Sequence, residues 1–125
     1  MNIFYLDKDP CRAAELQYNK HVVKMILESA QMLCAAHHYY GNEDVPYKST
    51  HLNHPSTVWA RENHYQYQWL YWHMIALGDE YKKRYNKEHL SITKCKECLS
   101  FSPYGISLGK FNQPPQCMPD EYKDK

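Results

Sequence analysis

The stretch "NKHVVKMILESAQML", residues 19–33, restricts the folds open to this chain more than any other feature. At helical spacing it is apolar over more than half of its circumference, through Val22, Val23, Met25, Ile26, Leu27, Ala30, Met32 and Leu33. The remaining narrow stripe holds Lys20, His21, Lys24, Glu28 and Gln31. A surface helix normally carries a wider polar face, so this one must be covered on several sides. The stripe then needs partners of its own. An unpaired buried charge costs several kcal/mol, and an unpaired buried polar group roughly 1–3 kcal/mol.

The flanking sequence supplies the other elements. "MNIFYLD" alternates and is rich in β-branched and aromatic residues, which predicts a short strand at residues 2–6. In "LDKDPCRAAELQ", Asp9 is placed to cap a helix whose first position is Pro10. That helix runs into the 19–33 stretch, or kinks before it, and continues to about Tyr39. Gly41 stops it, with His37 and His38 near its negative end. Residues 42–53 are polar and aperiodic, a loop. Pro55 opens a second long helix, in which Val58, Tyr65, Trp69, Trp72 and Ala76 recur at helical spacing. Gly78 marks a bend in it, and "KKRYNKEH" is its solvated end. "SITKCKECLSF" forms a third, shorter helix with Ser91 as its cap. The tail from Ser102 holds most of the Pro and Gly and is expected to pack as extended chain over the helices. The expected fold is mainly α: a small helical bundle forming a single domain over residues 1–125. It has two long helices, a shorter third, and at most the short N-terminal strand.

On the second long helix Glu62, Gln66 and His73 fall on one line, between Val58, Trp69 and Ala76 on one side and Trp59, Leu70 and Leu77 on the other. Two such helices packed edge to edge leave a polar-lined cleft. A closed network could fill it, for example Lys24 to Glu62 and His21 to Glu28, or a ligand could. The residue types describe a nucleotide-sized ligand. Lys20, Lys24 and Arg61 suit phosphate, and the start of the second helix, "NHPSTVWAR", offers backbone amides with the Ser56 and Thr57 hydroxyls to an anion. Trp59 or Trp69 would stack on a base, while His21, Glu28, Gln31, Glu62, Gln66 and His73 would hold sugar and base edges. His21 or His73, oriented by Glu28 or Glu62, could equally act as a general base, so binding and turnover both stay open.

Composition narrows the partners. Twelve Tyr, three Trp and eight His in 125 residues fit either a small aromatic-rich core or a surface that grips a ligand or partner. Fifteen Lys+Arg against fourteen Asp+Glu leave a formal charge of +1, which argues against a dedicated binder of duplex DNA. No apolar run is long enough to span a bilayer and no charged-then-apolar signal opens the chain, so no membrane partner and a cytoplasmic location are expected. Five cysteines without a regular framework read as reduced thiols packed as small hydrophobes. Cys95 and Cys98 have the spacing of half a zinc site, but a second pair is missing. Cys11, Cys34, Cys117 and His89 would have to converge on it from elsewhere, and no metal is expected. His51 and His54 read as loop and cap chemistry. No phosphate loop, nucleophile elbow, HExxH or glycine-rich dinucleotide fingerprint is present, and no cofactor is expected. A symmetric homo-oligomer could build the cleft across its interface.

At "MNIFYLDKDPCRAAELQYNKHVVKMILESAQML", "NHPSTVWAR" and "PPQCMPDEYK" the chain resembles a family of small, largely uncharacterised bacteriophage proteins. Members of that family continue beyond the last residue here, which would make this chain a shorter form. A looser likeness, in the short strand followed by a helix with buried polar residues, is to the phage pyrimidine-dimer DNA glycosylases. It implies a helical fold, an N-terminal α-amine nucleophile and a helix glutamate, which would be Glu28. Those enzymes carry a small nucleophilic first residue where this chain has Met1 and Asn2. The chain is also similar in character to phage anti-defence proteins that sequester or cleave nucleotide signals of bacterial immunity. That similarity implies a protein of the host cell cytoplasm that sequesters a cyclic dinucleotide or ADP-ribose derivative. The alternatives are a glycosylase or nucleotide phosphodiesterase, and a protein-interaction inhibitor of a host enzyme.

Overall fold

The computed structural model describes residues 8–17, 19–48 and 52–115. Within them lie five helices: α1 (Pro10–Glu15), α2 (Asn19–Tyr39), α3 (Pro55–Glu62), α4 (His64–Tyr85) and α5 (Leu90–Cys95). The fold is a small, mainly helical bundle, as the periodicity predicts, and the described residues contain no strand. The strand expected at residues 2–6 lies outside the described residues. None of the described helices is long and apolar enough to cross a membrane.

The two long helices pack on each other, and α4 is the hub, because α1, α3 and α5 rest on it as well. This explains why α4 buries Tyr67, Leu70, Met74 and Leu77 together with Gln66 and His73. Its charged final turns, by contrast, reach solvent at Lys82, Lys83 and Tyr85. Fully buried Ala13 and Ala14 carry no bulk that would hold α1 away from this hub.

Local chemistry starts and stops the elements. The Asp9 carboxylate accepts from the Cys11 amide at 2.9 Å, and Pro10 fills the first helical position. At the far end of α1 the Arg84 guanidinium reaches over from α4. It donates to the carbonyls of Glu15 (3.2 Å) and Gln17 (2.8 Å) and to Asn19 Oδ1 (3.0 Å), and pairs with Glu80 at 2.9 Å. One cation thus satisfies carbonyls at the negative end of α1 and fixes the turn into α2. Helix α2 ends in a Schellman motif. Gly41, at φ +89°, donates to the His38 carbonyl, and Asn42 donates to that of His37.

Three expectations need correction. The second long helix does not run unbroken from Pro55, because Asn63 is extended and divides it into α3 and α4. The Asn63 side chain caps α4 by accepting from the Gln66 amide at 3.0 Å, which competes locally with helix continuation. Gly78 marks a close approach instead of a bend, since a Cβ there would lie 2.7 Å from Ile92 Cγ1 while α4 continues through it. The cap of α5 is His89, whose Nδ1 accepts from the Ser91 amide at 3.1 Å. Ser91 itself is buried and bonds to the Tyr47 hydroxyl at 2.9 Å.

Cys34 and Cys95 are fully buried in the core and Cys11 and Cys98 are exposed. Cys34 and Cys95 are free thiols joined by a hydrogen bond that holds Cys34 below the ordinary thiol range, while the same contact and burial push Cys95 above it. Among the described residues no three His, Cys, Asp or Glu side chains converge as a metal would require.

Candidate functional site

The break at Asn63 creates the most distinctive geometry in the molecule. An extended strap over residues 107–112 crosses the α3–α4 junction and is held there by its backbone. His64 N donates to the Ser107 carbonyl at 2.7 Å and Asn63 Nδ2 to that of Lys110 at 2.8 Å. Gly109 permits this approach, because at φ +55° a Cβ would lie 2.7 Å from that of Asn63. Further along, the Trp59 indole donates to the Asn112 carbonyl at 2.8 Å, and the Asn112 amide donates to Gln66 Oε1 at 2.9 Å. Gln66, fully buried, also donates through Nε2 to the Trp59 carbonyl at 2.7 Å. One glutamine therefore joins the end of α3 to the strap.

Between them opens a cleft of about 570 Å3. Pro55, Val58, Trp59 and Glu62 line the α3 side, with Asn53 just before it, and Asn112, Gln113 and Pro115 line the other. Trp59 is almost fully buried at its base and is fixed edge-on to Trp69 (6.2 Å) and Phe111 (5.8 Å). Glu62 is exposed, and Gln66 Nε2 approaches its Oε1 at 3.4 Å. The cleft is of a size that takes a drug-sized molecule and combines apolar walls with a few polar groups.

The residues expected to bind a ligand divide into four groups, the last being Trp69 and His73, which are buried together on α4. Trp59 and Glu62 line the cleft, and Gln66 holds its wall. Ser56 and Thr57 open α3, but both residues are fully buried, and the Ser56 amide donates to His54 Nδ1 at 3.1 Å. The two hydroxyls and the Ser56 amide are therefore not presented to solvent as the expected anion site needs. Arg61 turns away to the face of Tyr39 at 4.1 Å and to the Leu52 carbonyl. The third group never meets the first. Lys20 and Lys24 are exposed on α2, where Lys24 pairs with Glu28 at 3.7 Å, and His21 and Gln31 are half-buried on the same helix. The polar stripe of α2 borders solvent beside exposed Val23 and Leu27, so the cleft is not the one expected between the long helices.

His73 is part of a buried contact between α1 and α4. Its Nδ1–H donates to the Pro10 carbonyl at 3.0 Å, which leaves Nε2 to accept from the Gln17 amide at 2.8 Å. Trp69 stacks on it at 4.8 Å and donates to the Lys8 carbonyl. Burial pushes its pKa down to about 4, so it is a neutral packing group. A second buried imidazole, His37, accepts from Asn42 at 3.0 Å and donates to the Tyr67 hydroxyl at 2.8 Å, which donates to the Leu99 carbonyl. Burial lowers its pKa as well. His38 behaves differently. Burial works against its charge, but the Tyr47 carbonyl and the Glu43 carboxylate together outweigh it and hold the pKa above the ordinary value.

Sequence reasoning missed Asn53, Asn112, Gln113 and Pro115. The tail was legible as chain packed over helices, but no local pattern says which helix it meets. Comparison with protein-family models, with curated proteins and with solved structures gives no match to this chain. The described residues form a small, mainly helical bundle with a surface cleft beside α3.

Proposed function

We propose that this chain binds a nucleotide-derived small molecule in the cleft between α3 and the strap, and acts by holding that molecule, as a sequestering protein of the anti-defence kind would. The observation that supports this is the cleft itself, where Glu62, Asn53, Asn112 and Gln113 converge among Pro55, Val58, Trp59 and Pro115. Amides and a carboxylate match the hydrogen-bonding edges of a base or ribose, and the apolar walls match the faces of a flat ring. Holding is favoured over turnover because Glu62 is, among the described residues, the one ionisable side chain lining the cleft. Of the four groups that a catalytic reading would use, His73 is engaged with Pro10 and Gln17, Glu28 pairs with Lys24, and His21 lies on α2 away from the cleft lining, which leaves Glu62 without a histidine beside it in that described lining.

The test is a thermal-shift screen of the purified protein against nucleosides, nucleotides, cyclic dinucleotides and ADP-ribose, with recovered ligand checked by mass spectrometry. A ligand at a hundred times its dissociation constant stabilises by about 2.7 kcal/mol, several degrees for a domain of this size. A shift that disappears in Glu62→Gln, with the ligand recovered intact, supports the reading. Altered ligand would make the protein an enzyme, and no shift with any compound would remove the proposal.

A further inference from the structure

Among the described residues, the cleft is lined by one carboxylate and no cation. The described lining offers Glu62, three amide side chains and apolar groups, but neither lysine nor arginine. The nearest arginine in sequence, Arg61, is committed to the Tyr39 ring and the Leu52 carbonyl. Lys20 and Lys24 stand on the solvent face of α2. A phosphate placed against the described lining would meet the negative charge of Glu62 and gain no ion pair from it. The carboxylate needs the opposite, a ligand edge that donates.

Acceptor capacity at Glu62 is largely unused. A carboxylate has about four lone-pair sites, and the one described donor to Glu62, Gln66 Nε2, is at the long distance of 3.4 Å. Two adjacent parallel N–H groups satisfy such a carboxylate in bidentate fashion, the strongest neutral-to-ionised arrangement open to it. Among nucleobases, guanine presents that pair on its Watson–Crick edge as N1–H and the 2-amino group. Adenine presents an acceptor nitrogen at the corresponding place. Asn112 adds a side-chain carbonyl, while its backbone is pinned on both sides by Trp59 and Gln66, so this wall is positioned before a ligand arrives.

We infer that the cleft recognises a guanine-type base through Glu62 and leaves any phosphate of the ligand outside in solvent. This rests on the assignment of the cleft to a nucleotide-derived ligand and names the part of that ligand which is held.

Titration calorimetry with guanosine, adenosine and guanosine 5′-monophosphate, at low and high salt, tests it. Guanosine should bind at least about tenfold more tightly than adenosine, a gap typical of one bidentate contact. The monophosphate should bind more weakly than guanosine at low salt, and the difference should shrink as salt screens the repulsion. In Glu62→Gln the guanosine preference should fall by about tenfold and the penalty on the phosphate should fade. Its melting temperature should stay unchanged, because the side chain is exposed. Adenosine binding as tightly as guanosine, or the monophosphate binding more tightly at every salt, would overturn the inference and leave the cleft assignment standing. Binding by none of the three, with other nucleotides equally inert, would overturn both.

Discussion

Acid should loosen the junction of α1 and α4 through a single imidazole. His73 is 1 % exposed, and its pKa is pushed down from 6.5 to about 4 by burial. In the unfolded chain the same group takes up a proton near 6.5, so between these values the unfolded state holds more protons than the native state. Stability from this residue is therefore complete above pH 6.5 and drains away as pH falls towards 4. At about 1.4 kcal/mol per unit the loss is about 3 kcal/mol, a large part of the 5–15 kcal/mol typical of a domain. Urea unfolding followed by circular dichroism between pH 7.5 and 4 reads this directly. His37, whose pKa is also lowered, tilts the curve the same way. His38, whose pKa is raised, contributes stability that is present at low pH and lost as pH rises through its native value. Comparison with His73→Gln isolates the effect, because only His73 differs. The variant should start less stable at neutral pH and show a shallower acid limb. An equally steep limb in the variant, or an imidazole resonance of His73 that titrates near 6.5, would refute the argument.

Two further perturbations probe the packing. Gly78→Ala should destabilise by about 1–2 kcal/mol despite its gain in helix propensity, because the new Cβ would lie 2.7 Å from Ile92 Cγ1. In an Ile92→Ala background the same change should become neutral or stabilising, and an equal penalty in both backgrounds would show that the contact is not the cause. Tyr67→Phe keeps the ring but strands the Leu99 carbonyl and the His37 Nε2–H in the core, so the urea midpoint should fall by about 2–3 kcal/mol in stability. A change within about 0.5 kcal/mol, the usual range of surface substitutions, would mean that water reaches these groups.

Much of the helical frame was readable because it is written within a few residues. Asp9 with Pro10, Gly41, and His54 with Pro55 each act on the backbone of their immediate neighbours, and the structure uses all three as start or stop signals. The break at Asn63 had a local signal too, an asparagine three residues before Gln66 in a capping arrangement. It was masked because apolar spacing continues on both sides of it, and periodicity cannot see one extended residue.

The sequence by itself determined that the helix through residues 19–33 would be covered on several sides, because too little of its surface is polar to face water. Only the tertiary structure decided where each polar residue would find its partner. The stripe of α2 borders solvent, His73 meets the first turn of α1, and Gln66 meets an amide 46 residues away at Asn112. Such pairings depend on how helices rotate against one another and on where a strap crosses them. Those choices are made by the packing of the whole core, which no single segment encodes.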